Sequence, residues 1–183
     1  MSAIQLSSIE YYQKARETVK NTHPTLNTFA VPDVEKVVVN VGVGRFENVQ
    51  REKIAEYLLK LTGQKPKVIK AKKSISTFKL RKGEVNGYQV TLRQDKVKDF
   101  LLQLVYIALP RTRDFRGIPS NSWDKNQRTY TVGIPNASIF PVVGFDVPFQ
   151  FGLQVTVVFR LGSPINIELL NALKFPFKKE DNN

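Results

Sequence analysis

The 183-residue sequence contains no cysteine, one histidine and one methionine. The missing cysteine excludes disulfides, thiolate nucleophiles and Cys-ligated zinc, and it is compatible with a reducing compartment. No apolar run reaches the ~20 residues that a membrane-spanning helix needs. The first residues lack the basic start and the apolar core of a secretory signal. These absences predict a cytoplasmic protein with no membrane span.

Catalytic and metal-binding patterns are also scarce. His23 stands beside Pro24 without a Ser or carboxylate marked as its partner, which predicts a surface or packing residue. Gly42 and Gly44 follow a predicted strand, but a dinucleotide fingerprint requires a third glycine where Glu47 stands. A strand-to-helix turn that uses glycine's freedom at positive φ explains this pair better. We therefore predict no catalytic residue, no metal site and no cofactor, and a nucleotide-dependent enzyme is the weakest alternative.

Acidic residues are nearly absent from one segment of the chain. Residues 65–98 hold eleven Lys and Arg against two Asp and Glu, and so carry nine of the net +12 charges. The segments on either side of it are almost balanced. A solvated surface is the ordinary explanation for a single lysine, but such a density repels itself unless a polyanion neutralises it. A focused basic region most often binds nucleic acid.

Hydrophobic periodicity predicts helices and strands that interleave without a strict βαβ repeat. Helices are expected over residues 8–20, 49–63, 95–109 and 163–175, and strands over residues 34–43, 65–70, 87–93, 128–134 and 151–159. Ser7 or Ser8, then Asn48, and then Ser163 with Pro164 at N1 are the predicted starts of the first, second and last helices; Gly63 ends the second and Pro110 the third.

These elements predict the α+β class: a largely antiparallel sheet with helices on one face, the other face open for RNA, and a long basic loop at the sheet edge. A chain of this length can bury about 70% of its unfolded surface, so one domain suffices. We divide it into an N-terminal helix and connector (1–32), the α+β core (33–177) and a charged tail (178–183).

The strand predicted over residues 87–93 separates polar from apolar side chains. Its apolar residues 88, 90 and 92 alternate with Gln89, Thr91 and Arg93, as in a strand with one buried face. With Asn40, these polar residues predict an uncovered sheet face suited to RNA. Phe78, in the basic loop, either stacks on an unpaired base or packs inward and anchors the loop.

A second cluster of arginines follows the third helix, in PRTRDFRG (110–117). The planar fork of arginine suits phosphate or carboxylate. The alternative is a structural loop in which Asp114 pairs with Arg111 or Arg116. Trp123, further along, is either a buried anchor or a contact for a partner, and the sequence leaves both readings open.

Six stretches in order resemble the bacterial large-subunit ribosomal protein L-five family: VVVNVGVG, LTGQKP, KAKKSISTFKLRKG, GYQVTLR, ALPRTRDFRG and FPFKK. The resemblance runs from about Tyr11 to Lys179. It implies a non-enzymatic protein that binds 5S rRNA and helps attach it to 23S rRNA in the central protuberance. The implied 5S rRNA-binding residues are Asn40, Gln64, Phe78, Thr91 and Arg93.

The resemblance also implies other partners. A loop that faces P-site tRNA would use Lys70, Lys72, Lys73, Ser74, Ser76, Lys79, Arg81 and Lys82. A bridge to the small-subunit head protein S-thirteen, or contacts with rRNA, would use Arg111, Arg113, Arg116, Phe140 and Pro141. Neighbouring proteins of the central protuberance are further expected partners, in a cytoplasmic ribosome or, alternatively, an organellar one.

The chain departs from the family pattern at one point. Val142 and Val143 follow IFP, where bacterial relatives usually carry an acidic residue. The departure bears on the bridge and not on 5S rRNA. The second hypothesis, from the charge alone, is a generic nucleic-acid binder or RNA chaperone with no fixed partner.

Overall fold

A computed structural model describes residues 7–78, 80–113, 115–141 and 149–178, without the side chain of Phe78. Within them one five-stranded sheet has the order β2-β3-β1-β5-β4, and all four neighbouring pairs are antiparallel. The strands are β1 (Val34–Gly42), β2 (Lys67–Lys70), β3 (Val85–Leu92), β4 (Thr129–Ile134) and β5 (Leu153–Phe159). The helices are α1 (Ser8–Thr22), α2 (Asn48–Thr62), α3 (Asp95–Gln103) and α4 (Asn166–Ala172). The predicted α+β fold is confirmed.

The central strand is β1, as its run of β-branched residues predicts. It pairs with β3 on one side and with β5 on the other. Val37, Val39 and Val41 alternate along it and are at most 1% exposed. Buried residues of all four helices join these valines in one hydrophobic cluster. The helices therefore cover one face of the sheet, and the opposite side chains of β1 stay outside this core.

The first two helices begin with capping boxes. Ser7 Oγ accepts from the Glu10 N–H, and a carboxylate oxygen of Glu10 accepts from the Ser7 N–H, which confirms the predicted start of α1. The prediction of Asn48 as the cap of α2 is wrong, because Glu47 is the last extended residue and its N–H donates to Gln50 Oε1. Gly63, at φ +60°, ends α2 as predicted.

The last two helical segments differ from their predictions. After Gln103 the third helix continues as a π-helical turn and then as a 3₁₀ turn, Leu109–Arg111, that contains Pro110. Ser163 does not cap the last helix; its hydroxyl accepts from the Ile165 N–H one turn earlier. The α-helix starts at Asn166, whose buried amide donates to the carbonyls of Gln127 and Leu161 at 2.8 Å each.

The structure also decides what the Gly42/Gly44 pair and His23 do. Neither Gly42 nor Gly44 adopts positive φ, so that explanation of the pair is wrong. At Gly44 a Cβ would lie 3.0 Å from Asn86 Oδ1, which makes close approach the constraint there. His23 Nε2 lies 2.8 Å from Glu168 Oε2 and links the end of α1 to α4. Among the described helices, none combines the length and the apolar character needed to cross a membrane.

Candidate nucleic-acid interface

The sheet face away from the helices, called the open face here, carries aligned rows of mostly polar residues. The first row crosses all five strands through Lys67, Gln89, Asn40, Gln154 and Gly133. The second row holds Thr91, Val38, Thr156 and Thr131. The third row holds Lys36, Val158 and Thr129. Because neighbouring strands lie about 4.8 Å apart, each row spaces its side chains at fixed intervals.

The open face contrasts with the buried face along β1 from Val37 to Gly42. Asn40 is exposed, while its neighbours Val39 and Val41 are 0% and 1% exposed. The hydroxyls of Thr131 and Thr156 lie 3.1 Å apart and link β4 to β5. The open face therefore offers amides and hydroxyls that are positioned by strands and backed by a packed core.

Asn40 and Thr91 lie on this face, in adjacent rows and on paired strands. Arg93 follows the last residue of β3, and its side chain is 57% exposed. Sequence reasoning counted Lys67 only in the basic segment and did not place it on this face, and it missed the half of the face built by β4 and β5. The alternation in LQVTVVF, which exposes Gln154 between buried residues, was the available signal.

Two other residues implied by the resemblance lie outside the sheet. Gln64 is half-buried in the turn between the end of α2 and β2. Phe78 ends a short 3₁₀ turn, Ser76–Phe78, but its side chain falls outside the described residues, as does Lys79. Whether Phe78 stacks or anchors thus stays a prediction.

Residues 71–78 and 80–84 form a structured extension of the β2–β3 connection, and the segment 71–84 is called the basic hairpin here. Backbone hydrogen bonds join Ala71 to Gly83 and Glu84 at its base, and Ile75 to Leu80 further out. The Lys82 N–H donates to Ser74 Oγ. The predicted tRNA-facing residues that the structure describes in this hairpin are all exposed: Lys72, Lys73, Ser74, Ser76, Arg81 and Lys82. Lys70, also exposed, is the last residue of β2.

Glu84 is the one acidic residue in the sequence of the basic hairpin, and it fastens the hairpin to the core. Its Oε2 accepts from the Arg81 N–H at 3.2 Å, and its Oε1 lies 3.5 Å from Arg51 Nη2. Arg51, on α2, also donates to the carbonyls of Val43 and Gly44. The Arg81 N–H, followed by Arg51, lowers the pKa of the Glu84 carboxyl. The base of the hairpin is thereby held by an ionised carboxylate.

The arginine cluster after the third helix lies in a segment held by the end of the chain. Arg111, Arg113 and Arg116 are exposed, while Asp114 falls outside the described residues. The Ile118 N–H donates to the Pro176 carbonyl, and the Lys178 N–H donates to the Ile118 carbonyl. Gly117 is required there, because its φ is +98° and a Cβ would lie 2.7 Å from Lys178 Cα.

Phe140 does not offer a surface for a bridge. It is 2% exposed, and its ring stacks on Phe100 at 5.8 Å between centroids. We therefore remove Phe140 from the residues predicted to contact the bridge partner or rRNA. Pro141 is exposed, and Val142 and Val143 lie outside the described residues. The ring of Trp123 packs on Tyr130 and Phe159 at 5.0 and 5.5 Å between centroids, and the residue is half-buried against the core.

In the part of the chain that the structure describes, no group of three or more His, Cys, Asp or Glu is placed to hold a metal ion.

Two family models match in tandem: that of ribosomal protein L5 over residues 27–81, and that of the C-terminus of the same ribosomal family over residues 85–177. The chain belongs to the ribosomal protein L5 family.

Curated members of the ribosomal protein L5 family align along most of this chain. A large ribosomal subunit protein uL5 of Thermus thermophilus is 42% identical over 174 residues, which cover 93% of this chain and 95% of the relative. The protein of that name from Pelagibacter ubique is 44% identical, with coverages of 94% and 96%. That of Acholeplasma laidlawii is 46% identical, with coverages of 81% and 84%. Proteins of the L5 family are structural constituents of the ribosome and not enzymes.

Proposed function

We propose that this chain, as a structural constituent of the large ribosomal subunit, binds 5S rRNA on its open face. In this role it helps to attach 5S rRNA to 23S rRNA in the central protuberance. The observation that carries the proposal is the set of three cross-strand rows on a face that lies outside the helix-covered core. Asn40 and Thr91, which the resemblance implies as RNA contacts, stand in two of those rows.

The chemistry of the open face suits RNA. Amide and hydroxyl groups such as those of Asn40, Gln89 and Thr91 both donate and accept hydrogen bonds. They match the base edges and 2′-hydroxyls that irregular or single-stranded RNA presents. The rows contain few charged side chains, so recognition there depends on hydrogen-bond geometry more than on net charge.

The basic hairpin serves a different contact in this proposal, the backbone of P-site tRNA. Its exposed lysines and arginine carry positive charge that only Glu84 offsets. Positive charge at the surface is sufficient to neutralise backbone phosphates. The exposed Arg111, Arg113, Arg116 and Pro141 are proposed to contact the small-subunit head protein S-thirteen, rRNA or neighbouring ribosomal proteins. Phe140 is not part of that set.

Binding of purified variants to isolated 5S rRNA tests the division of labour. Thr91→Val and Arg93→Gln remove groups from the open face, and Lys72→Gln and Lys73→Gln remove charge from the hairpin. Loss of one good hydrogen bond costs roughly 1 kcal/mol, so Thr91→Val should weaken binding to 5S rRNA about fivefold. Arg93→Gln should cost at least as much, while the lysine variants change it little. Equal losses in all four variants would show that the proposed division is wrong.

A competition assay separates this proposal from a generic RNA binder. Excess unrelated RNA should displace a generic binder from 5S rRNA but not this protein. The dependence of affinity on salt also measures how many phosphates the protein neutralises. Each neutralised phosphate contributes roughly 0.7–0.9 to the slope of log affinity against log salt concentration. Complete displacement by unrelated RNA would favour the generic alternative.

A further inference from the structure

One end of the sheet gathers a charged cluster in which only Arg93 was marked by the sequence. Glu35 lies at a β-bulge near the start of β1, Arg93 directly follows β3, and Arg128 directly precedes β4. Glu35 Oε1 lies 3.5 Å from Arg93 Nη1, and Glu35 Oε2 accepts from Arg128 Nη2 at 3.0 Å. Lys36 Nζ, in the third row, is 3.6 Å from the same carboxylate. These four residues are called the rim cluster here.

The two arginines of the rim cluster are held and yet accessible. Arg128 Nε also donates to the Phe159 carbonyl at 3.2 Å, so the side chain is fixed at two points across the end of β5. A guanidinium carries five N–H donors, and these contacts engage two of them. The side chain of Arg128 is 50% exposed, and that of Arg93 is 57% exposed. Both guanidiniums therefore keep free donors that reach solvent.

The rim cluster carries an excess of positive charge. Three cations share the carboxylate of Glu35, and the hydrogen bond from Arg128 is the largest cause that lowers the pKa of this carboxyl. The carboxylate stays ionised at neutral pH, which leaves the cluster at a net +2.

We propose that the rim cluster binds a backbone phosphate of the RNA that lies on the open face, through the free N–H groups of Arg93 and Arg128. Glu35 acts as a positioning residue, because one carboxylate holds both planar forks at the end of the sheet. The ligand class follows from the donors: two guanidiniums suit the paired oxygens of a phosphate, which they bind bidentately. This inference rests on the proposed function, and it adds Arg128 and Glu35 to the interface.

The test compares the binding of three variants to 5S rRNA with that of the unmodified chain. Arg128→Gln should weaken binding about tenfold, since a hydrogen bond to a charged group is worth more than a neutral one. Arg128→Lys keeps the charge but not the fork, and should recover only part of that loss. Lys53→Gln, on an exposed position of α2, makes the same change of charge away from the sheet and should have little effect. Thermal unfolding of each variant checks that the fold is retained.

A second measurement addresses Glu35. Glu35→Gln frees both arginines and adds one positive charge, so binding to unrelated RNA should tighten while the preference for 5S rRNA over it falls. A residue with a merely structural role would lower both affinities together through loss of fold.

The outcomes distinguish the two levels of the proposal. If the unmodified chain shows no preference for 5S rRNA, the proposed function fails and this inference fails with it. If the preference is normal but Arg128→Gln behaves like Lys53→Gln, only the rim cluster is overturned. Undiminished binding by Arg128→Lys would overturn the bidentate geometry in favour of simple charge.

Discussion

The open face and the basic hairpin both present polar groups to solvent, but they are built differently. The open face belongs to five paired strands, and β1, β3, β4 and β5 pack their other side into a core that includes Val37, Val39 and Val41. The basic hairpin is held by a few backbone hydrogen bonds and by the contact of Glu84 with Arg51 and Arg81. One region has rigid positions and little charge; the other has dense charge and a light scaffold.

The difference teaches that charge density and shape recognition are separate properties. A polyanion is attracted by lysines wherever they lie within roughly one Debye length, about 8–10 Å at physiological salt. Hydrogen bonds to bases and 2′-hydroxyls require donors and acceptors at defined positions. The hairpin satisfies the first requirement and the open face the second, which is why we assign them different RNA partners.

The largest effect on stability is expected where the strands of the open face meet the core behind them. Val38 and Val39 are neighbours in β1 on opposite faces, so Val→Thr at each position makes a matched pair. Val39→Thr buries a hydroxyl and should lower the free energy of unfolding by about 1–3 kcal/mol. Val38→Thr, on the open face, should change it by less than about 0.5 kcal/mol. Urea unfolding measures both, and equal losses would mean that the two faces are not distinct.

A smaller effect is expected in the half of the open face that sequence reasoning missed. Gln154→Ala removes one exposed amide from the first row and should weaken 5S rRNA binding by about 1 kcal/mol, or fivefold, with no change in Tm. Gln13→Ala, on an exposed position of α1, is the matched control. Indistinguishable affinities of the two variants would confine recognition to β1 and β3.

The smallest and most local effect is expected at the base of the hairpin. Because the pKa of Glu84 is lowered in the folded chain, its contribution is present above the ordinary value of 4.5 and is lost as pH falls through the lowered value. Amide exchange in the hairpin should therefore rise a few-fold, beyond its intrinsic pH dependence, on acidification. Glu84→Gln should raise it at neutral pH and remove this pH dependence. Exchange of β1 amides serves as the internal control, and a uniform change across the sheet would refute a local role.

Much of the fold was predictable because it depends on periodicity between near neighbours. The strand predicted over residues 34–43 is Val34–Gly42, and the helix predicted over residues 49–63 is Asn48–Thr62. The start of α4 was not predictable from such neighbours. It depends on Asn166, whose amide bonds the carbonyl of Gln127, 39 residues away in the chain.

The candidate site was predictable in part for the same reason. Alternation within β3 marks Thr91, and the same rule applied to β5 marks Gln154. Alternation does not tell which strands are neighbours, so the row that joins Lys67 to Asn40 through Gln89 could not be drawn. The burial of Phe140 was missed likewise, because it depends on stacking against Phe100 of α3.

The sequence by itself determined the class of fold, the alternation within single strands and the concentration of charge in residues 65–98, since each is a property of residues close along the chain. The tertiary structure alone decided the strand order β2-β3-β1-β5-β4, and with it which polar residues share a row. It also brought Arg93 and Arg128 to one carboxylate from 35 residues apart. The physical reason is that pairing and packing join residues by spatial contact, and separation along the chain carries little information about such contacts.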